Sequence, residues 1–433
     1  MSKIITNNNN ILVSKQKPLF ERPNDWLTLE DLDGSEEKIV GLYGVFSGDS
    51  NYLSFIINGS YTVNWGDGDV ENYNSGDFAT HKYFFSGISN STITIDGYKQ
   101  VIVTITPQSG NNLNIVNFRV AHPIFSGTSY SSTWLELKLY CPNLSPNSFY
   151  LADSNNLTHK YLKSIIFEGK DTYVNDMSSF FRLSNNLEYI KFPTIESSSY
   201  SSSFDNCYSL KEIDADLKTT TFVSITNVFR NCFSLQKIPD SFLKKGAGIG
   251  SANQPFFNCA SVTDLDLSKL NLGPSSIISF GLNNMRSIID PPNISFSGST
   301  KPNFQFFSTG IQYLNDDYEV SSSLISLSNA FNGSHNLMVV PNINVSGITN
   351  FTNIFNNTAY GGLLKFSFNN INANINFSNK RLGRNEILEI FNNLKDRTST
   401  TSANINISGC YGAFYLTASD RLIATNKNWT ITG

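Results

Sequence analysis

At 433 residues the chain is long enough for two or three domains and a large core. Charged residues make up only 15% while Phe alone numbers 33, the opposite of a disordered chain, which carries high net charge and few aromatics. A net charge of −4 with no dense basic run excludes non-specific nucleic-acid binding, and no apolar stretch approaches the roughly 20 residues of a membrane span.

The N-terminal MSKIITNNNNILVSKQKP carries charge but no apolar signal-peptide core. The expectation is a protein that stays in the cell that makes it, or leaves by another route such as virus assembly and lysis. Residues 1–22, with NNNN and PLFERP, read either as an arm that docks the protein onto a particle or as a disordered terminus.

Phe, Tyr, Ile and Thr favour strands, so the fold is expected to be mainly β. YLSFIING from Tyr52, STITIDG from Ser91 and QVIVTITP from Gln100 are the first strands to be expected. Between the first two, YTVNWGDGDVENY (residues 61–73) and ATHKYFF (residues 79–85) give strand, tight turn and strand, with Gly66 and Gly68 supplying backbone angles other residues resist. Asp67, Asp69, Glu71 and Asp77 offer the donors of a calcium site. EF-hand spacing is absent, a hairpin turn with solvated acids is the simpler reading, and no metal site is assigned. The strand–WGDG–strand–His-x-Tyr order resembles polycystic-kidney-disease (PKD) type domains. The resemblance implies a PKD/Ig-like β-sandwich over residues 23–125 with Trp65 in its core.

A repeat follows. WLELKLY from Trp134 and LKSIIFEG from Leu162 read as early coils. The frame Phe, +3 Cys, +6 Leu, +9 Ile then runs through FRLSNNLEYI (from Phe181), FDNCYSLKEI (from Phe204), FRNCFSLQKI (from Phe229) and FFNCASVTDL (from Phe256). It continues as SFGLNNMRSI from Ser279, QFFSTGIQYL from Gln305, FNGSHNLMVV from Phe331 and FNNT from Phe355, at intervals of 23, 25, 27, 23, 26, 26 and 24 residues. A unit this short cannot bury a core alone, so copies must stack and share one. Short strands around the Leu-x-x-Ile segments would pair from coil to coil, and the Phe residues would line an aromatic spine. The units resemble BspA-like leucine-rich repeats, which implies a solenoid over residues 126–380.

The five cysteines, Cys141, Cys207, Cys232, Cys259 and Cys410, form neither a CxxC motif nor an even-numbered disulfide framework. The four histidines, His81, His122, His159 and His335, lack zinc-ligand spacing. Cys207, Cys232 and Cys259 share one frame position with Ser184 and Ser334. That fits a slot for a small buried side chain, and free buried thiols are expected.

At the C-terminus, LGRNEILEIFNNLKD (residues 382–396) is the best helical pattern, with Ile387, Leu388, Ile390, Phe391 and Leu394 on one face. INISGCYG and RLIATNKNWTITG follow. Residues 381–433 are expected to cap the stack with a helix and two strands.

No catalytic motif is present. Acid pairs such as Asp264/Asp266 and Asp316/Asp317 are candidates for glycosidase-like chemistry, and DLDLS from Asp264 fits an ordinary strand with the acids outward. A non-enzymatic binding solenoid without cofactor is therefore expected, one whose uncharged polar and aromatic face suits a carbohydrate or protein surface, with a stiff spacer as the plainer alternative. The combination of arm, WGDG unit, repeats and IATNKNWTITG ending resembles accessory virion proteins of tailed bacteriophages, such as head or tail fibres and decoration proteins. That resemblance implies other virion proteins as partners of the N-terminal region, a host-surface protein or glycan as ligand, and a possible homo-oligomer. A bacterial cell-surface adhesin of the BspA-like type is the other reading, and would be expected to carry a signal peptide and an anchor.

Overall fold

The structure is a computed structural model and describes residues 4–7, 10–13, 20–32, 34–48, 50–118, 120, 122–125, 132–144, 149–151, 159, 161–169, 172–174, 176–239, 241–242, 249–265, 272–279, 282–288, 309–314, 326–356 and 363–433. The fold is mainly β, with a β-solenoid of about eight turns and two α-helices.

The N-terminal strands are β1 (Ile4–Asn7), β2 (Asn10–Val13), β3 (Lys38–Val45), β4 (Tyr52–Asn58), β5 (Tyr61–Asn64), β6 (Val70–Tyr73), β7 (Phe78–Lys82), β8 (Lys99–Pro107) and β9 (Ile115–Asn117). Strands β1 and β2 form an antiparallel hairpin. Strands β3, β8, β5 and β6 run antiparallel in one sheet, and β9, β4 and β7 neighbour one another in a second. Phe55 of β4 meets Trp65 at 5.6 Å and Tyr61 at 6.3 Å, so side chains of both sheets share one core.

One sequence expectation changes here, and one strand is new. STITIDG is not a strand: residues 90–92 make a 3-10 turn, with Ser91 N–H on the Ser89 hydroxyl and the Thr92 hydroxyl on Ser89 C=O. Such hydroxyls compete with a strand ladder for backbone groups. Strand β3 has no expectation behind it, because Gly41 and Gly44 interrupt its apolar run. Gly41 is there for space: a Cβ at this position would lie 2.2 Å from the Trp134 ring.

On the sheet's outer face Trp26, Leu29, Val40, Leu42, Tyr98 and Leu135 form a smaller core, with Trp26 Nε1 donating to the Tyr98 hydroxyl at 2.9 Å. The end of the expected arm folds onto the chain itself. Arg22 Nε donates to Glu136 at 2.8 Å, and Phe20 stacks on Tyr189 with 5.4 Å between ring centroids.

The solenoid contains β10 (Trp134–Tyr140), β11 (Phe149–Tyr150), β12 (Ser164–Phe167), β13 (Thr172–Val174), β14 (Tyr189–Ser199), β15 (Glu212–Ser224), β16 (Ile249–Asn253), β17 (Leu272–Ser279), β18 (Val339–Val340), β19 (Lys365–Phe366) and β20 (Ile375–Asn376). Strands β10, β12, β14, β15, β16 and β17 stack in parallel. Strand β10 also pairs antiparallel with β3, so one sheet runs unbroken from the N-terminal strands into the coils. The frame's Leu and Ile side chains, such as Leu210, Ile213, Leu235 and Ile238, are buried. The spine is present: Phe181, Phe204, Phe229 and Phe256 stack at 5.5, 5.3 and 6.2 Å, with their planes within 12°. It resumes through Phe331, Phe355 and Phe377 at 5.7 and 5.6 Å.

Residues 235–238 and 262–265 bury the expected side chains without forming strands. After Ile238 stands Pro239, which has no N–H to give a ladder. The copy at Ser279 has its frame corrected by three residues. Asn258 N–H bonds Asn283 C=O as Asn231 N–H bonds Phe257 C=O, so Leu282 fills the Phe slot and Met285 the Cys slot. The intervals either side of it become 26 and 23 residues. Leu-x-x-Met-x-x-Ile repeats every three residues, and its apolar spacing alone does not distinguish the two registers.

The cap comprises α1 (Arg384–Asn393), β21 (Ala403–Asn406), α2 (Ala418–Thr425) and β22 (Trp429–Thr432), with β20, β21 and β22 parallel. Helix α1 buries Ile387, Ile390 and Phe391 as its pattern requires. Helix α2 corrects the expected order, inserting a second helix between the two strands. It is fixed by a capping box in which Thr417 Oγ1 accepts from Asp420 N–H and Asp420 accepts from Thr417 N–H. Arg384 adds a bidentate pair to Asp420, at 3.0 and 2.8 Å, that ties α1 to α2. Among the described residues no helix is long and apolar enough to cross a membrane.

Candidate binding surface

The WGDG turn is closed by Trp65 N–H on Asp69 C=O at 2.9 Å. Gly66 has φ +81° and lies against Ile102 C=O, where a Cβ would come within 2.3 Å, so no other residue fits. The four acids of the turn do not converge. Glu71 accepts from Trp65 Nε1 at 3.0 Å and from the Tyr73 hydroxyl. Asp77 accepts from the Asn74 backbone and side-chain nitrogens, both at 3.0 Å. Asp67 bonds His81 Nε2 at 2.8 Å, and the His81 ring stacks on Trp65 at 4.7 Å. Asp67, Asp69 and His81 are the one group of possible metal ligands among the described residues. The short Asp67–His81 bond pairs two of these three within the protein.

Asp264 is exposed, while Asp266, Asp316 and Asp317 lie outside the described residues. His122 packs on Tyr52 at 4.8 Å, and His159 is buried with the Ser132 hydroxyl 2.7 Å from Nδ1.

The solenoid's regular edge is the turn around each spine Phe, where every second N–H crosses to the next coil. Tyr200, Ser202, Phe204 and Asn206 donate to Ser224, Thr226, Val228 and Arg230. Turning the chain this way needs a left-handed residue two places after Phe. Asn206, Asn231, Asn258 and Asn284 fill it, with φ between 61° and 64°, a region that Asn tolerates better than most side chains. Their amides form a ladder: Asn231 Nδ2 to Asn206 Oδ1 at 2.7 Å, then Asn258 to Asn231 and Asn284 to Asn258, both at 2.6 Å. Replacing Asn231 by Ala is expected to cost about 2–3 kcal/mol, from two lost amide bonds and a strained backbone. Asn231→Gly keeps the backbone relaxed and should cost about 1 kcal/mol less. Urea midpoints for the pair check this, and equal losses would remove the backbone part of the explanation.

One place further on, the thiols of Cys207, Cys232, Cys259 and Cys410 donate to the carbonyls of Phe181, Phe204, Phe229 and Phe377 at 3.0–3.1 Å. All five cysteines are buried and unpaired by disulfides, including the three, Cys207, Cys232 and Cys259, for which the frame predicts it. Burial pushes the Cys207, Cys232 and Cys259 thiols far above their ordinary range, so no thiolate forms. A thiol-specific reagent is expected to react only as the protein unfolds. Rapid labelling of Cys207, Cys232 or Cys259 in the folded state would contradict the packed column.

Outside this column the edge turns polar and aromatic. Asp205, fully buried, takes a bidentate pair from Arg230 at 2.8 and 2.7 Å and a longer contact from Arg182 at 3.4 Å. Tyr208 and Phe233, one place beyond the cysteines, meet at 5.5 Å with their planes tilted by 37°, and both are partly exposed. On the cap, Tyr411, Phe414 and Tyr415 project from a 3-10 turn, with Phe414 95% exposed.

No family model, curated protein or solved structure matches this chain. The amide ladder and the Asp205 pairs are absent from the sequence expectations. The ladder had a signal, Asn before Cys in three successive copies. The ion pairs had none, since Arg182, Asp205 and Arg230 are adjacent only once the coils are in register.

Proposed function

We propose that the chain is a non-enzymatic structural protein of a tailed-bacteriophage virion, a head or tail fibre or a decoration protein. Its N-terminal unit would be a PKD-like β-sandwich, and its BspA-like coils would carry a surface that attaches to a host-surface protein or glycan. The observation that carries this reading is the stack itself: parallel coils joined on both the strand side and the Phe-turn side make a stiff display surface rather than a catalytic cleft. Its partly exposed rings, Tyr208, Phe233 and the cap's Tyr411, Phe414 and Tyr415, supply flat faces for sugar or protein contact.

The docking arm narrows to residues ahead of Phe20, because Phe20 and Arg22 are engaged within the chain. Mass spectrometry of purified particles should find the protein as a stoichiometric component, and particles that lack it would overturn the reading. Deleting residues 1–19 should abolish incorporation into particles, and normal incorporation would remove the arm from the proposal.

A further inference from the structure

Lys380 breaks the rule of its column. Phe377 N–H donates to Asn406 C=O and Asn379 N–H to Ser408 C=O, the same pair of bonds that Phe204 and Asn206 make to the coil after them. That register puts Lys380 three residues after a spine ring. Elsewhere among the described residues the slot holds Ser184, Cys207, Cys232, Cys259, Met285, Ser334 and Cys410, all uncharged and buried.

Lys380 is only 5% exposed. Among the described residues its ammonium has no hydrogen bond or ion pair. The nearby Cys410 thiol supplies no anion, since burial raises it and it donates to Phe377 C=O. A cation on a mostly buried side chain, with no protein partner among the described residues, is costly, and a stack selected for stability alone would hold another uncharged residue here. The side chain lines a cavity of about 200 Å³ between two coils, together with Asn353, Asn356, Asn376, Ser378 and Asn379.

We propose that this cavity binds the carboxylate of an acidic sugar, with Lys380 as its counter-ion and the surrounding amides on the sugar's hydroxyls. The volume, roughly that of six or seven waters, admits one ring rather than a chain. Amide side chains both donate and accept, which is what a ring bearing several hydroxyls requires. One ammonium balances one carboxylate, whereas a doubly charged phosphate would keep an uncompensated charge. The lining holds no carboxylate, so it does not suit a metal cation. Burial already pulls the Lys380 ammonium below the usual lysine range, and a bound carboxylate opposes that shift. The proposal rests on the reading of the solenoid as a glycan-facing surface.

The test is ligand-observed NMR on the intact protein with glucuronic acid, N-acetylneuraminic acid and glucose at millimolar concentration. At least one acid is expected to saturate while glucose stays silent. Lys380→Met should weaken that binding about tenfold or more, the loss of one charge-assisted contact. In the absence of sugar the same variant should melt at a higher temperature, because the unpaired charge is gone. Equal responses to acid and glucose, no response to either acid, an inorganic phosphate that competes as well as the acid, or unchanged affinity in Lys380→Met would each overturn the proposal. If Lys380→Met does not fold, Ser378→Ala and Asn379→Gly carry the test, and full affinity in both would sink it. The particle measurement is unaffected by any of these outcomes, since it reads where the chain resides and not what it binds.

Discussion

Phe229→Ala is expected to lower stability by about 3–5 kcal/mol, the range for deleting a fully buried aromatic ring. The ring is stacked between Phe204 at 5.3 Å and Phe256 at 6.2 Å, and the edge of Phe242 closes a third side at 5.3 Å. Neighbouring coils are joined on both sides by backbone bonds and have little freedom to collapse into the vacated space. In a stack whose stability is close to a sum of neighbour terms, the damage should also be local. Hydrogen exchange is therefore expected to speed up most in residues 200–262 and least in β3 and β8. The urea midpoint gives the magnitude and the exchange map gives the location. A uniform rise in exchange over the whole chain would mean that the coils do not act as a one-dimensional series.

Acidification is expected to destabilise the protein through His159. This side chain is 4% exposed, and burial lowers its pKa to about 4, against about 6.5 for an unfolded histidine. The neutral ring is the form the fold accepts. Between pH 6.5 and about 4 the unfolded chain takes up a proton that the folded chain refuses, so stability falls as pH falls. The full contribution is present above pH 6.5 and amounts to about 3 kcal/mol lost by pH 4. His159→Gln should flatten that slope relative to the parent protein, read as the difference in urea midpoints between pH 7 and pH 4.5. Parallel slopes for the two proteins would show that His159 is not the group responsible.

The spine and the thiol column were legible because each frame position carries one physical demand. In the copies from Phe181 to Phe256 a large ring fills the spine and a small group fits beneath the preceding Phe carbonyl, which is why Phe204, Cys207, Phe229 and Cys232 mark the period. The copy around Leu282 was misread because Leu282, Met285 and Ile288 satisfy the apolar frame in two registers, and only the hydrogen bond from Asn258 to Asn283 chooses between them. Strand β3 was hidden by Gly41 and Gly44, and the purpose of Gly41, room for Trp134, exists only in three dimensions. Helix α2 left a trace in the spacing of Thr417 and Asp420, obscured by the shortness of an eight-residue helix. Lys380 was invisible in the sequence for a related reason. Its copy, FSNK, keeps the spine Phe but not the Cys, and only the register shows that a cation stands in the thiol's place.

Strand β10 is bonded antiparallel to β3 on one edge and parallel to β12 on the other. Among the described residues the two parts are bonded directly at that seam, so a load on the coils up to β17 reaches the N-terminal strands through a ladder of backbone bonds. Such a joint resists bending where a linker would swivel. Mechanically, the seam between β3 and β10 is a lever arm rather than a leash.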